Sequence, residues 1–263
     1  QNTTVPATRP SPVATHGQTV GERDTTMAEL VPMPFDRLVR TMFRSLDTHG
    51  TIFDIPRKKF FRTPEGFDFG IRFHGLRTAT ALGPAAGPHA QMAQNIVMAW
   101  LTGSRVIELK TVQINDELDI PRPCIDMPNL GFNVEWSQEL KVDQSLLEYA
   151  KGSMMIDMLA HSGLIDLAEG DSDICYDMSV GYDLAGIRSE KVTRFIDQMR
   201  DASAVIDRLR DEIPDEYSHL RDIPFRTGLS ESVTLSTFHG CPPDEVERIG
   251  EYLIDDLGVR TII

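Results

Sequence analysis

The sequence contains few cysteines. Cys124, Cys175 and Cys241 are the only three in 263 residues, and they lie far apart. An odd number without a CxxC pair is typical of reduced thiols in a cytoplasmic protein rather than of a disulfide framework. No histidine stands at zinc-ligand spacing from them. The sequence therefore predicts no metal site, zinc or iron–sulfur, within this chain.

Basic residues are also in short supply. Lysine and arginine number 26 against 40 acidic residues, and the formal net charge is -14. Nucleic acids and anionic membrane surfaces repel such a chain, so we expect neither as a partner. Long apolar runs are lacking too, since no stretch approaches the roughly 20 residues of a membrane helix. The first residues show no charged start followed by an apolar segment, so we expect no secretory signal.

Large apolar side chains are almost missing from residues 1–26, which are rich in threonine, proline and glycine. We expect a disordered or extension segment there, because such a stretch cannot offset its ordering entropy by burial. Folding is expected to begin near Met27, with residues 27–77 as a helical or irregular N-terminal cap. Within this cap an amphipathic helix is predicted from the spacing of Phe35, Leu38, Val39, Met42 and Phe43.

From Thr78 onward, predicted strands alternate with predicted helices. The β-branched and alternating runs predict strands over 78–82, 105–114, 174–180, 232–237 and 259–263. Apolar residues at helical spacing predict helices over 93–101, 145–160, 191–209 and 244–257. Gly103 and Gly258 stand where C-terminal caps belong, and Asp244 with Glu247 resembles a capping box.

This alternation predicts an α/β fold with a parallel sheet. The two candidate architectures are a doubly wound sheet and a β/α barrel. A barrel of eight units takes about 250 residues, and only four units and a fraction follow Thr78. If the fold is a barrel, residues 78–263 are therefore expected to form its first half.

Residues 83–90 read GPAAGPHA and follow the first predicted strand. Small residues here indicate that the backbone must approach something closely, since glycine costs conformational entropy on folding. The run does not match the GxGxxG dinucleotide fingerprint. Close strand–helix packing and a flat cofactor lying on the turn remain alternatives.

The second predicted strand carries charge inside an apolar run, IELKTV. A period of two places Glu108 and Lys110 on one face and Leu109 on the other. An inward lysine at the C-terminal end of a barrel strand lies where barrel active sites are built. A buried lysine needs a strong acceptor such as a flavin or a phosphate. The alternative is a Glu–Lys pair on a solvated face.

Two loop regions add further candidates. Asn133 and Glu135, in GFNVEWS, could present an amide and a carboxylate to a ligand; the alternative is an ordinary loop anchored by Trp136. Cys241 follows His239 in a strand-to-helix loop, just before a helix. The helix dipole is expected to lower the thiol pKa there and favour a nucleophile or proton donor. A small buried cysteine is the alternative.

Five runs, GPAAGPHAQMAQNIV, IELKTVQI, PCIDM, MSVGYDLAGI and TLSTFHGCPPDE, carry a resemblance to a known family. From Met27 to its end the chain resembles the N-terminal half of the YgfK-type selenate reductase subunits, a family of flavin-dependent oxidoreductases. More distantly, the same runs are similar to the FMN barrel of dihydropyrimidine and dihydroorotate dehydrogenases. The resemblance implies a (β/α)8 TIM-type barrel of FMN-dependent dehydrogenase type, with about its first half in this chain.

The resemblance also implies roles for particular residues. Cofactor binding falls by similarity on Ala85, Ala86, Gly87, Lys110, Thr111 and Asn133. Asn133 and Glu135 match positions near the substrate, and Cys241 stands where the related enzymes hold a catalytic proton donor. The strand-four signature of the larger family is replaced here by LSTFHG.

The function implied is that of an FMN-dependent oxidoreductase domain in a multi-cofactor, NAD(P)H-linked reductase or dehydrogenase acting on a small molecule. FAD, iron–sulfur clusters and the NADPH site are implied only in segments outside this chain. Other redox domains or subunits are the expected partners, in an oligomer or complex. Two alternatives remain open: a non-catalytic scaffold half-barrel in a redox complex, and a dihydropyrimidine- or dihydroorotate-like dehydrogenase. Bound flavin and substrate turnover distinguish them.

Overall fold

The computed structural model describes residues 30–115, 125–126, 132–133, 140–236 and 241–263. The segment 1–26, Cys124, Glu135, Trp136 and His239 lie outside the described residues, and so do the predictions made for them.

After the first helix and two short strand pairs, helices and the strands of the central sheet follow one another along the chain. The helices are α1 (Phe35–His49), α2 (Ala93–Leu101), α3 (Val142–His161), α4 (Leu184–Ile187), α5 (Glu190–Arg200), α6 (Ser203–Asp211) and α7 (Pro243–Glu251). The strands are β1 (Thr51–Ile52), β2 (Ile55–Pro56), β3 (Ile71–Phe73), β4 (Leu76–Thr78), β5 (Val106–Glu108), β6 (Ile125–Asp126), β7 (Phe132–Asn133), β8 (Cys175–Gly181), β9 (Ser232–Ser236) and β10 (Arg260–Ile262). Short 3-10 turns span Arg57–Lys59, Pro88–Ala90 and Asp215–Leu220.

The central sheet is parallel and has the strand order β10-β9-β8-β5. Strands that follow one another in this sheet along the chain are therefore also neighbours in space, with helices between them. A doubly wound sheet reverses its strand order partway, whereas a barrel adds each strand beside the last. The predicted α/β fold is confirmed, with the winding of a partial barrel.

The strand predicted over 78–82 is only partly formed. Thr78 ends β4, which pairs antiparallel with β3. The chain after it runs beside β5: Leu82 accepts from the N–H groups of Arg105 and Val106, and Pro84 accepts from Glu108. These bonds all run toward the earlier segment, and Pro84 has no N–H to return one. The segment therefore packs on the edge of β5 without forming a regular ladder.

The single helix predicted over 191–209 is two helices. Asp201 adopts an extended conformation (φ -140°, ψ 92°) after α5, and its carboxylate accepts from the backbone N–H and hydroxyl of Ser203 at the start of α6. The N–H of Ala202 donates to the carbonyl of Thr227. Apolar periodicity continues across the break, which is why it does not reveal the interruption.

The capping box predicted at Asp244 is wrong. The N-cap of α7 is Pro242, which makes no side-chain capping bond, and Asp244 already lies in the first turn. An acidic residue there still complements the helix dipole. The helix continues as a π-helical turn over Tyr252–Asp256, and Gly258, in the left-handed region at φ 62°, follows it.

The apolar faces of the helices meet the sheet in one core. Phe35, Trp100, Tyr149 and Phe195 are among its largest fully buried side chains. None of the helices in the described ranges is both long and apolar enough to cross a membrane.

Candidate active site at the C-terminal end of the sheet

The candidate site, built from residues predicted from the sequence, lies beside the chain that leaves β5. Parallel strands present their C-terminal ends at one edge of the sheet, and barrel active sites are built there. The turn 83–90 contacts this edge, because the N–H of Ala86 donates to the Glu108 carboxylate at 2.9 Å. The small-residue turn and the charged strand therefore belong to one structure.

The chain after β5 contains a β-bulge. Val106–Glu108 pair in register with Cys175–Asp177, but the next pairing joins Val112 to Val180. Three residues, 109–111, therefore lie opposite two, 178–179. A bulge re-aims the side chains of its strand and is common next to active sites.

The bulge carries the lysine singled out from the sequence. Lys110 is only 8% exposed, and among the described residues its amine has no hydrogen-bond or ion-pair partner. Burial lowers the pKa of Lys110, and the nearby Glu108 carboxylate raises it in part. A lysine in a buried position whose amine pairs with none of the described residues indicates a position for an anionic or electron-rich ligand.

Close packing explains the presence of glycine at one position of the turn 83–90. A Cβ atom at Gly83 would overlap the carbonyl oxygen of Val106. The alternative of close packing therefore accounts for Gly83. Ala85 is exposed, while Ala86 and Gly87 are half-buried; their contact with a cofactor remains a prediction.

A cluster of three hydroxyl groups joins three strands at this end of the sheet. Thr111 Oγ1 lies 2.8 Å from Ser179 Oγ and 3.1 Å from Ser236 Oγ, and the two serines are 3.1 Å apart. Sequence reasoning singled out Thr111 but missed Ser179 and Ser236. The alternation of Ser232, Thr234 and Ser236 along β9 was the signal that could have indicated a polar face.

A buried carboxylate lies on β8 two residues before this cluster. Asp177 is 2% exposed and accepts hydrogen bonds of 2.5 Å from Ser232 and Thr234. The sheet face around Lys110 is therefore lined by hydroxyl and carboxylate groups. A barrel interior filled for stability alone is dominated by branched apolar residues.

Of the two predicted loop residues, Asn133 and Glu135, the structure describes only Asn133. Asn133 lies in β7, paired with Ile125 of β6. Its proposed contacts with flavin and substrate, like those of Glu135, stay predictions.

Cys241 is half-buried and directly precedes Pro242, the N-cap of α7. The expected lowering of its pKa is wrong. Partial burial raises the pKa of the thiol, and the carboxylates of Glu245, Asp183 and Asp244 raise it further, against a smaller opposing effect of Arg248. The protonated thiol suits a proton donor rather than a thiolate nucleophile, and the catalytic role stays a prediction.

The pKa of Cys241 can be tested by alkylation. At neutral pH we expect iodoacetamide to modify Cys241 several-fold more slowly than an unperturbed thiol, with the rate rising as the pH approaches and passes the usual thiol pKa. Mass spectrometry of the Cys241 peptide over a pH series measures this. Glu245→Gln should speed the reaction at neutral pH. A fast, pH-independent modification would contradict the raised pKa.

Two cavities lie at the other end of the sheet. They measure about 570 and 410 Å³, and both are lined by Arg77 and Asp173. The β3–β4 hairpin reaches this end, where Arg77 pairs with Asp173 and Arg260 donates to the His74 carbonyl. In the described part of the chain no cluster of histidine, cysteine and carboxylate side chains is arranged to hold a metal ion.

The comparisons with known proteins agree with this architecture. A family model described as "Oxidoreductase YgfK, N-terminal TIM-barrel domain" matches residues 53–263. The chain belongs to this family. It is 37% identical over 251 residues to "Putative oxidoreductase YgfK" of Escherichia coli strain K12, and equally to the O157:H7 protein. These alignments cover 88% of this chain but only 24% of each relative, so the YgfK-family chain spans about a quarter of their length.

A solved structure is also similar to the YgfK-family chain. It is the crystal structure of ligand-free type DHODH from Eimeria tenella, at 14% identity and a TM-score of 0.39. The match covers 86% of this chain and 68% of that chain.

Proposed function

We propose that this YgfK-family domain binds FMN at the C-terminal end of its sheet. In the proposal it serves as the flavin-bearing part of an NAD(P)H-linked oxidoreductase that acts on a small molecule. One observation carries the proposal. Lys110 is buried and bonds through its backbone to Ala90 of the turn 83–90, its amine pairs with none of the described residues, and the domain is a barrel of an oxidoreductase family.

The residues present fit the group. The isoalloxazine ring is flat and gains negative charge on reduction, so it needs a small-residue surface and a cation. Ala85, Ala86 and Gly87 offer backbone without large side chains, and Lys110 offers the cation. Bound FMN would supply the hydride or electron transfer.

The proposal gives each of the site residues of the chain a role. Lys110 holds a positive charge at the site, and Thr111 lies beside it within the hydroxyl cluster. Asn133 and Glu135 orient the ligand. Cys241 keeps a proton on Sγ at neutral pH because its pKa is raised.

The electron supply lies outside this domain in the proposal. FAD, iron–sulfur clusters and the NADPH site belong to other segments or subunits of a longer assembly, as the length of the relatives supports.

The proposal is tested on the full-length protein. Its visible absorption spectrum should show flavin bands, and FMN should be released on denaturation. Lys110→Met should weaken FMN binding about tenfold, equivalent to about 1.4 kcal/mol, because the buried cation is removed. Equilibrium titration of the flavin-free protein with FMN measures this.

Lys58→Met is the matched control, since Lys58 is an exposed lysine in the 3-10 turn before Phe60. It should leave FMN affinity unchanged. A wild-type protein that binds no FMN would overturn the proposal and favour the scaffold alternative. Equal affinities in Lys110→Met and wild type would exclude the role given to Lys110.

A further inference from the structure

The backbone of the bulged residue is hydrogen-bonded outside the sheet. The N–H of Lys110 donates to the carbonyl of Ala90 at 3.3 Å, and its carbonyl accepts from the hydroxyl of Tyr149 at 2.7 Å. A bulge removes its extra residue from the ladder, and buried backbone groups left unpaired are costly. Here the turn preceding α2 and a side chain of α3 supply the missing partners.

Thr111, the residue after Lys110, is held by the sheet. The hydroxyl of Thr111 bonds to Ser179 of β8 and Ser236 of β9. These bonds keep Thr111 on the same sheet face as Ser179. Because the Lys110 backbone is bonded to the turn and to α3, and Thr111 is bonded to β8 and β9, the extra residue is held against slipping along the strand.

We infer that Tyr149 is a positioning residue for Lys110, acting together with the hydroxyl cluster of Thr111, Ser179 and Ser236. Its hydroxyl holds the Lys110 carbonyl in the bulge. The bulge brings Thr111, the next residue, onto the sheet face of Glu108 and Ser179. Without the bulge, the strand would return to regular pairing with β8. A one-residue change of register exchanges the faces of the residues that follow it. Thr111 would then leave the face of Glu108, and Lys110 would lose the hydroxyl cluster beside it.

The surroundings of Tyr149 suit a role in positioning Lys110. It is 2% exposed, and its ring packs edge-on against Phe195 with centroids 6.4 Å apart. Burial raises the pKa of the Tyr149 hydroxyl well above its usual range, so the group remains a donor at any physiological pH. Replacement by phenylalanine keeps the ring and removes only the hydroxyl.

The experiment compares Tyr149→Phe with the wild type in the full-length protein. In the flavin-free protein, competitive acetylation of Lys110, followed by mass spectrometry over a pH series, reports the environment of the amine. We expect the reactivity of Lys110 at neutral pH to change about three- to tenfold in Tyr149→Phe, since a lost buried hydrogen bond is worth roughly 1 kcal/mol. FMN affinity, which rests on the proposed function, should fall by a similar factor.

The matched control is Tyr176→Phe, which removes the hydroxyl of another buried tyrosine that does not bond to Lys110. It should leave the pH profile of Lys110 unchanged. Equal profiles in Tyr149→Phe and wild type would overturn the inference, and so would equal changes in both tyrosine variants, which would indicate general destabilisation.

A second pair of variants covers the case in which Tyr149→Phe does not fold. Thr111→Val should alter the reactivity of Lys110, and Thr111→Ser, which keeps the hydroxyl, should restore it. Equal Lys110 reactivity in Thr111→Val and Thr111→Ser would overturn the proposed contribution of the hydroxyl cluster to positioning Lys110. If the wild type binds no FMN but the acetylation profiles still respond as expected, the positioning role stands and the proposed function fails.

Discussion

Replacement of Lys151 by methionine is expected to lower the free energy of unfolding around α2 and α3 by about 3–5 kcal/mol. Lys151 Nζ donates to Glu148 Oε1 at 2.8 Å and to the carbonyl of Met33 at 3.0 Å. Glu148 is fully buried and Lys151 is 4% exposed. Loss of the lysine leaves a carboxylate in the core without a counter-charge, and removing one partner of a buried pair is far more costly than removing both.

The same pair supports the candidate site. The second carboxylate oxygen of Glu148 accepts from the N–H of Ala93 at 2.9 Å, at the first residue of α2. That helix follows the turn 83–90 directly. We therefore expect Lys151→Met to loosen the turn as well as the core.

Hydrogen exchange of the α2 and α3 peptides in the full-length protein measures the effect. The double variant Glu148→Gln/Lys151→Met should be more stable than Lys151→Met alone, because glutamine keeps an acceptor for Ala93 and carries no charge. Arg248→Met, which breaks an exposed pair with Asp244, is the control and should cost about 0.5 kcal/mol or less. A double variant that loses as much protection as the single one would contradict the ion-pair explanation.

Substitution of Gly83 by alanine is expected to cost about 3 kcal/mol, at the upper end for overpacking. The new Cβ would overlap the carbonyl oxygen of Val106, which is backbone and cannot turn aside as a flexible side chain can. The segment must therefore move off β5. This movement breaks the bonds of 2.7 and 3.1 Å from Arg105 and Val106 to the carbonyl of Leu82, each worth about 1 kcal/mol.

Protection of the amides of Arg105 and Val106 against hydrogen exchange reports this displacement. Gly228→Ala is the control, because its Cβ would meet only the carbonyl oxygen of Arg200, at an ordinary contact distance of 3.4 Å. Gly83→Ala should lose protection where Gly228→Ala does not. Similar protection in both variants would show that the turn is not in close contact with β5.

The helices show how much of the fold is determined by residues close together in the sequence. The apolar spacing predicted the bounds of α2 and the presence of α1 and α7, the last continuing as a π-helical turn. Burial of one helix face depends mainly on residues three and four apart, which makes it a local signal. The break between α5 and α6 was missed. It depends on Thr227, distant in sequence, which binds the N–H of Ala202.

Some residues of the candidate site are recognisable in the sequence, and others are recognisable only in the fold. Lys110 and Glu108 stand out in the sequence because charge interrupts an apolar strand, and the turn 83–90 stands out by its small residues. Ser179 and Tyr149 carry no such mark, and Ser236 is marked only by the polar alternation along β9. Each is an ordinary residue of its strand or helix, and its contact with the bulge exists only in the folded chain.

The sequence by itself determined the strands of the central sheet and most of the helices between them, the parallel α/β class and the position of the lysine. Those features follow from local periodicity and from the contrast between charge and apolar surroundings. Only the tertiary structure decided the barrel-type winding, the bulge at 109–111 and the partners that hold Lys110 in place. Register and winding depend on which strands meet, and that choice is made by contacts between residues far apart in the chain.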